Sequence, residues 1–160
     1  MDYLHKIENE ITDLGFEIIS KDFNRPWGGF LVIKEGQAQD FANKFFNGIN
    51  VDKLKIGGRL SPKILIVKPH SKLSWQYHNR REEIWKVYKG KVGVSRSMND
   101  IQSPKIILNE KDQIKLKQGE RHRLIGLDDY AVISEIWQHT DSENPSNEDD
   151  IVRISDDYGR

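Results

Sequence analysis

Apolar side chains recur at helical spacing in two stretches near the N-terminus. Over residues 2–14 they return every three or four positions between polar residues, and Gly15 follows as a stop signal. This pattern predicts an amphipathic helix packed on the outside of the fold. A second helix is predicted over residues 37–46. The other expectations for this part are a short strand over residues 16–19, a turn-rich segment over 24–30, an apolar run over 30–33 and a loop over 50–62.

From Lys63 onward the pattern changes to short runs rich in β-branched residues. Short strands at this close spacing predict an all-β sandwich or barrel. Gly90 and the pair Asp128-Asp129 supply turn chemistry at two of the joints. A polar, acidic and solvated loop is predicted over residues 141–150, before the segment Ile151-Val152-Arg153-Ile154. The predicted strands cover residues 63–68, 74–78, 84–88, 91–96, 105–108, 113–116, 121–125 and 130–137.

Length and composition narrow the classes of function. The chain has 160 residues, enough for a single domain with a sizeable core. Its 25 basic and 25 acidic residues cancel, so no net field attracts nucleic acid or an anionic membrane. The absence of cysteine excludes a disulfide scaffold, a thiolate zinc site and a cysteine nucleophile. With a charged N-terminus and no long apolar run, a soluble cytoplasmic protein is expected.

Four metal-ligand side chains occupy positions that strands can bring together. Gln76 and His78 are two residues apart, so on a strand they face the same side. Glu83 follows after a short polar turn, and His122 lies in a later strand. Because an amide oxygen, two imidazoles and a carboxylate are all ligand types, these four residues predict a metal site. The rival interpretation is that each histidine is structural, as a lone strand histidine usually is.

The region from Lys63 to Arg160 resembles the cupin domain of type II mannose-6-phosphate isomerases, which follows the nucleotidyltransferase in bifunctional mannose-1-phosphate guanylyltransferases. Individually the matching pieces are short, but they occur in the family's order. They are residues 73–78 (Leu-Ser-Trp-Gln-Tyr-His) with Arg81, Glu83 and Trp85, residues 119–124 (Gly-Glu-Arg-His-Arg-Leu), residues 148–160, and the opening motif Arg25-Pro26-Trp27-Gly28.

The resemblance implies an all-β cupin fold, a double-stranded β-helix or jelly-roll barrel, with one or two peripheral N-terminal helices. Residues 1–160 then form one cupin domain, in which residues 1–62 supply the helices and opening segment, 63–137 the barrel and 138–160 a C-terminal extension. Residues 31–62 look like an insertion that could reshape the pocket. A nucleotidyltransferase domain does not fit in this length, so guanylyltransferase activity is not expected.

Some positions depart from the general cupin pattern. Gln76 stands where the first histidine often is, although glutamine there is what the isomerase family shows. The other departures are His70 for the usual Gly, and Lys111, Lys117 and Gly126 where Gly, Pro and Asn are usual. The ligands imply a divalent metal, with zinc first and iron, manganese, nickel and cobalt as alternatives.

The implied reaction is the interconversion of mannose 6-phosphate and fructose 6-phosphate by proton transfer through an enediol. A phosphorylated sugar needs arginine at its anionic end, and Arg81, Arg153 and Arg160 are the candidates. Glu135 is the candidate for the proton carrier, because it shares a face with Ile133 and Trp137, and Arg153 is a second catalytic candidate. Each has a structural rival: Arg153 fastening the chain end, and Glu135 held in a buried hydrogen-bond network.

Two other functions stay open from the sequence. One is a non-catalytic cupin that binds a sugar or sugar phosphate, and the other is a different metal-dependent cupin reaction such as dioxygenation. The tryptophans are expected in the core or pocket wall rather than as sugar-stacking platforms, and His5, His70 and His139 at the surface or in turns. A homodimer through an edge strand or the N-terminal helix is a prior expectation.

Overall fold

The structure is a computed structural model that describes residues 2–54 and 59–157. Helix α1 spans Tyr3–Asp13 and helix α2 spans Ala38–Phe45, with short 3-10 turns at Glu35–Gln37 and Val51–Lys53. The strands are β1 Ile18–Arg25, β2 Gly28–Ile33, β3 Lys63–Val67, β4 Trp75–Tyr77, β5 Arg81–Lys89, β6 Val92–Ser97, β7 Ile106–Leu108, β8 Gln113–Leu116, β9 Arg121–Gly126, β10 Ala131–His139 and β11 Val152–Ser155.

The strands form two antiparallel sheets. The six-stranded sheet has the order β1-β2-β3-β10-β5-β8, and the five-stranded sheet has the order β11-β4-β9-β6-β7. Each of the eight strands predicted from Lys63 onward has a counterpart in β3 to β10, and the chain passes repeatedly from one sheet to the other. The all-β cupin barrel expected from the sequence is therefore confirmed.

The central strands β3 and β10 of the six-stranded sheet are buried on both faces. On β3, Leu65 and Val67 join the apolar cluster between the two sheets, whereas Ile64 and Ile66 join a second cluster on the outer face. Strict alternation along a strand produces this division, since successive side chains point to opposite faces. Because each face of β3 packs against one of these clusters, residues 64–67 form a continuous apolar run instead of an alternating pattern.

Both helices cover the outer face of the six-stranded sheet. Helix α1 begins at Asp2, whose carboxylate accepts the backbone N–H of His5 at 2.9 Å. Its buried residues pack with Phe41 of α2 in the outer cluster, so the predicted position of α1 is confirmed. The described part of the insertion also lies on this outer side, and it contributes no lining residue to the cavity described below. The expectation that it reshapes the pocket is not supported for residues 31–54 and 59–62.

Several element boundaries differ from the sequence prediction. Strand β1 runs Ile18–Arg25 instead of ending near residue 19, because it pairs with β2 as a hairpin at the sheet edge. Apart from Phe23, residues 20–25 are polar and have little strand propensity, and backbone pairing overrides this. A 3-10 turn interrupts the predicted loop over 50–62, of which residues 55–58 lie outside the described residues. Strand β10 continues to His139.

Residues 145–151, which we call the strap, connect β10 to β11 and are fixed to the barrel. The carboxylate of Asp150 accepts the backbone N–H groups of Asn79 and Arg80, both at 2.9 Å, and the hydroxyl of Ser146 at 2.6 Å. Ser146 and Asp150 are 1% and 4% exposed. The prediction that this acidic run is a solvated loop is therefore wrong at these two positions. Beyond the strap, β11 pairs with β4 and so closes the edge of the five-stranded sheet.

Candidate metal and substrate site

Three ligand side chains meet inside the barrel from different strands and turns. His78 follows β4, Glu83 lies on β5 and His122 lies on β9. One carboxylate oxygen of Glu83 lies 3.2 Å from Nε2 of His78 and 3.0 Å from Nε2 of His122. The ligand atoms all fall within 4.8 Å of one another, and all three residues are buried. The sequence prediction placed these residues together, and the geometry agrees with it.

The hydrogen bonds behind the two imidazoles fix their protonation. Nδ1 of His78 lies 2.6 Å from the backbone carbonyl of Asp150, and Nδ1 of His122 lies 3.1 Å from that of Glu120. A carbonyl oxygen only accepts, so each Nδ1 carries a proton, and in the neutral imidazole Nε2 then presents its lone pair toward Glu83. Each of these lone pairs repels the carboxylate oxygen of Glu83 unless a cation lies between them. Backbone carbonyls orient metal-binding histidines in this way in many proteins.

Electrostatics also favour a cation at this point. Burial by itself raises the pKa of Glu83, but the electrostatic influence of His78 and Arg81, and the approach of both imidazoles to its carboxylate, hold it well below its usual range. Burial lowers the pKa of His78 below its ordinary value, against the opposing pull of Glu83. At neutral pH the site therefore presents a carboxylate and a neutral imidazole, which is the protonation state that a metal requires.

Gln76 stands opposite His122 in the pairing of β4 with β9. It is buried, lines the same cavity, and its Oε1 accepts a hydrogen bond from the hydroxyl of Ser74 at 3.0 Å. The role of Gln76 as a fourth ligand stays a prediction. Nε2 of His122 has no hydrogen-bond partner among residues 2–54 and 59–157, although it is buried. These donors fit a divalent cation, and their mixed nitrogen and oxygen chemistry does not by itself select one metal.

Gln76, His78 and Glu83 line a cavity of about 460 Å³. Its walls combine aromatic side chains with charged groups of both signs. Trp27, Trp85 and Trp137 belong to these walls, whereas Trp75 is buried and donates its indole N–H to the backbone carbonyl of Asp100. The charged lining residues are Arg25, Lys63, Arg81, Glu83, Glu135, Glu148, Asp149 and Arg153.

Glu135 lies in the cavity wall on β10, beside the metal-ligand set. Its two carboxylate oxygens accept the indole N–H groups of Trp85, at 2.8 Å, and Trp137, at 2.7 Å. Burial raises the pKa of Glu135 to about 8, and the negative charge of Glu83 adds to the rise while the positive charge of Lys63 opposes it. A carboxyl group with this pKa, next to a ligand cavity, has the properties of a general acid or base near neutral pH.

Arg81 is buried, and its guanidinium is held by groups of the protein itself. Its guanidinium is 3.6 Å from the centre of the Trp137 ring, and its Nη1 donates to the hydroxyl of Ser146 and the carbonyl of Asn147 at 2.9 and 3.0 Å. Its Nε lies 3.4 Å from the second carboxylate oxygen of Glu83. These contacts tie the metal ligands to the strap. They favour a positioning role for Arg81, and contact with a phosphate stays a prediction.

Of the two C-terminal arginines predicted to bind substrate, only Arg153 lies among the described residues. Arg153 is exposed, lies on β11 opposite Gln76 of β4, and lines the cavity. Arg160 lies outside the described residues. Asp157, one of the partners expected for Arg153 in its structural interpretation, has an ion pair with Arg123 at 3.2 Å.

Two residues were missed or misplaced by sequence reasoning. Lys63 is buried in the cavity wall directly opposite Glu135 in the pairing of β3 with β10. The sequence predicts that Lys63 and Leu65 share one face of a strand, because they are two residues apart. It does not show that Glu135 is the residue paired with Lys63. His139 was expected at the surface or in a turn, and this prediction is wrong. It is 0% exposed on β10, and its Nδ1 accepts the backbone N–H of Ser146 at 2.9 Å, which fixes the start of the strap.

Fold and site together define a cupin with an interior site able to bind a metal. Residues 42–156 match the family model described as mannose-6-phosphate isomerase C-terminal, and the chain belongs to this family. The resemblance inferred from the sequence motifs is thus confirmed. No helix in residues 2–54 and 59–157 has the length and apolar character needed to cross a membrane.

Similar proteins include two curated relatives and one solved structure. The xanthan biosynthesis protein XanB of Xanthomonas campestris pv. campestris (strain B100) is 33% identical over 109 residues, which are 68% of this chain and 22% of that protein. The alginate biosynthesis protein AlgA of Pseudomonas aeruginosa is 27% identical, covering 99% of this chain and 28% of that protein. The chain therefore spans less than a third of the length of these relatives.

The structural neighbour supports the fold alone. The capsular polysaccharide assembling protein CapF from Staphylococcus aureus superposes with a TM-score of 0.55 at 14% identity, covering 88% of this chain and 34% of that one.

Proposed function

We propose that the protein is a metal-dependent sugar-phosphate isomerase that interconverts mannose 6-phosphate and fructose 6-phosphate through an enediol. The observation that carries this proposal is the grouping of functions in one cavity. The His78, Glu83 and His122 set lies beside Glu135, a buried carboxyl group whose pKa is raised to about 8. Membership of the mannose-6-phosphate isomerase C-terminal family supports the same reaction class.

Glu135 is the proton carrier in this proposal. Isomerisation removes a proton from the carbon next to the aldehyde and returns it to the neighbouring carbon, so a single carboxylate on one side of the sugar can do both. The two indole N–H groups hold its oxygens in place and stabilise the carboxylate form. Because the charge of Glu83 contributes to its raised pKa, neutralising Glu83 would lower that pKa toward neutrality.

A divalent cation held by Gln76, His78, Glu83 and His122 would supply Lewis acidity to the sugar oxygen at which negative charge develops. Zinc is the first expectation, with iron, manganese, nickel and cobalt as alternatives. Arg81, Arg153 and Arg160 remain predicted substrate contacts, and a catalytic role for Arg153 remains a prediction too. A cytoplasmic location, a homodimer and the absence of nucleic-acid and membrane partners also remain predictions.

A coupled assay tests the proposal directly. The metal-loaded protein is incubated with mannose 6-phosphate, and fructose 6-phosphate is detected through a coupling enzyme. Turnover is expected for the native chain, and Glu135→Gln is expected to reduce kcat by about 100-fold or more because the amide cannot accept the proton. Native turnover in the Glu135→Gln protein would contradict the assignment of the base.

A non-catalytic sugar-phosphate binder is the second candidate, and one observation favours it. Both oxygens of Glu135 already accept hydrogen bonds from indole groups, as expected of a structural carboxyl group in a satisfied network. Calorimetric binding of mannose 6-phosphate to a metal-loaded protein that shows no turnover would support this candidate over the isomerase.

A further inference from the structure

Lys63 is a buried cation in the cavity wall with an exposed counter-ion. Its side chain is 6% exposed, and its ammonium lies 5.0 Å from the centre of the Phe30 ring and 4.5 Å from that of Trp137. Its ion-pair partner is the carboxylate of Glu148, whose side chain is 62% exposed. The buried ammonium of Lys63 is thus paired with the exposed carboxylate of Glu148. This carboxylate can move into solvent with little loss of buried surface.

The strand pairing separates Lys63 from the metal ligands by the width of one strand, β10. Glu135 of β10 stands opposite Lys63 of β3 on one side and Trp85 of β5 on the other, and Glu83 lies two residues before Trp85. Neighbouring strands are about 4.8 Å apart, so β3 and β5 are about 10 Å apart across β10. The order across the sheet is therefore cation, proton carrier and metal ligands.

This order matches the chemistry of a hexose 6-phosphate. Its reacting carbons, the first and second, are at one end of the molecule and its phosphate is at the other. With the first two carbons at Glu135 and the metal ligands, the chain of six carbons carries the phosphate toward β3 and Lys63.

A second cation lies at the same end of the cavity. The guanidinium of Arg25 is 5.5 Å from the centre of the same Phe30 ring and pairs with Asp22 at 3.1 Å. Arg25 and Lys63 both line the cavity. Arg81, by contrast, has donors committed to the strap.

We propose that the phosphate of the substrate binds to Lys63 by displacing the carboxylate of Glu148, with Arg25 as the second cation of this anion site. In the ligand-free protein Glu148 stands in for the phosphate and keeps the buried ammonium neutralised. The identity of the sugar rests on the proposed function, whereas the anion site rests on Lys63, Glu148 and the cavity.

The strap allows Glu148 to move without releasing the metal ligands. On one side of Glu148, the carbonyl of Asn147 accepts a hydrogen bond from Arg81, and two residues further on the carbonyl of Asp150 accepts one from His78. The backbone is therefore held on both sides of Glu148, and rotation of its side chain alone frees Lys63.

Titration calorimetry with mannose 6-phosphate on metal-loaded protein tests the proposal, with inorganic phosphate as competitor. Lys63→Gln is expected to weaken binding of mannose 6-phosphate by about tenfold or more, since it removes a charge-assisted hydrogen bond from a buried site. Glu148→Gln is expected to tighten binding several-fold, because the competing carboxylate is gone while the side-chain volume is kept. Metal content is measured in each variant to show that the ligand set is intact.

Lys21→Gln is the matched control. Lys21 also forms an ion pair with a glutamate, Glu8 at 2.7 Å, but it does not line the cavity, so its loss should leave the affinity unchanged. Unchanged affinity in Lys63→Gln, or weaker binding in Glu148→Gln, would overturn the proposal. The second variant keeps the test decisive if Lys63→Gln does not fold.

The two proposals fail in different ways. Binding is measured without turnover, so a protein that binds mannose 6-phosphate through Lys63 without isomerising it would refute the isomerase and leave the anion site standing. Isomerisation with the same KM in Lys63→Gln as in the native protein would refute the anion site and leave the isomerase standing.

Discussion

Glu83→Gln is expected to remove most of the stabilisation that a divalent metal gives to this protein. Glu83 is the charged member of the predicted ligand set, and its carboxylate oxygen lies 3.0 and 3.2 Å from the two imidazole Nε2 atoms. The substitution keeps the size of the side chain but replaces one oxygen by an N–H₂ group and removes the negative charge. It therefore removes the attraction for a cation with little change in packing.

The size of the effect follows from the length of the chain. A metal present at about 100 times its Kd stabilises the native state by about 2.7 kcal/mol. Unfolding entropy is about 2.1 cal/mol/K per residue, so for 160 residues it is about 0.34 kcal/mol/K. Metal loading should then raise the Tm of the native protein by about 8 °C. If the substitution weakens metal binding by about 100-fold, the same metal concentration raises Tm by only about 1 °C.

Thermal unfolding with and without metal measures this difference directly. The neighbouring Glu82→Gln is the control, because Glu82 pairs with Lys115 at 3.1 Å and lies outside the ligand set. Glu82→Gln should keep the shift of about 8 °C. A full metal-induced shift in Glu83→Gln would refute the assignment of this carboxylate as a ligand.

Two further predictions concern the strap and the proton carrier. Asp150→Ala removes the acceptor of two backbone N–H groups beside His78 and should weaken metal binding by about 10- to 100-fold in a chelator competition, since outer residues orient the ligands; unchanged metal affinity would show that the strap does not position His78. Glu135 has a folded-state pKa raised to about 8, so its stabilising contribution is complete below the unfolded value near 4.5 and is lost as pH rises toward 8. In metal-free protein, the Tm of Glu135→Gln should therefore rise relative to the Tm of the native chain as the pH increases from 5 to 8.5. A difference in Tm that does not change with pH would contradict the raised pKa.

Local pattern predicted much of the fold because the strands and helices here are strongly periodic. The alternation around Glu83, Trp85 and Val87 and the helical spacing over residues 2–14 were both confirmed. Strand β1 was underestimated because its polar residues form a strand through pairing with β2, and sequence pattern contains no information on a pairing partner.

The metal-ligand set was predictable for a related reason. Gln76 and His78 are two residues apart, and Glu83 lies one turn later, so local geometry already directs them to one side. His122 was a candidate as a ligand-type side chain in a later predicted strand, and it also lies in one of the motifs of the family that the match over residues 42–156 confirms.

Tertiary structure alone decided what surrounds that set. The sequence by itself determined the type of barrel, the family and the candidate ligand residues, because these depend on periodicity and on short motifs. Lys63 lies next to Glu135, and Asp150 lies behind His78. In each of these two contacts the residues are 72 positions apart in the sequence. Such neighbours arise from strand order and from the path of the strap, and neither can be read from local spacing.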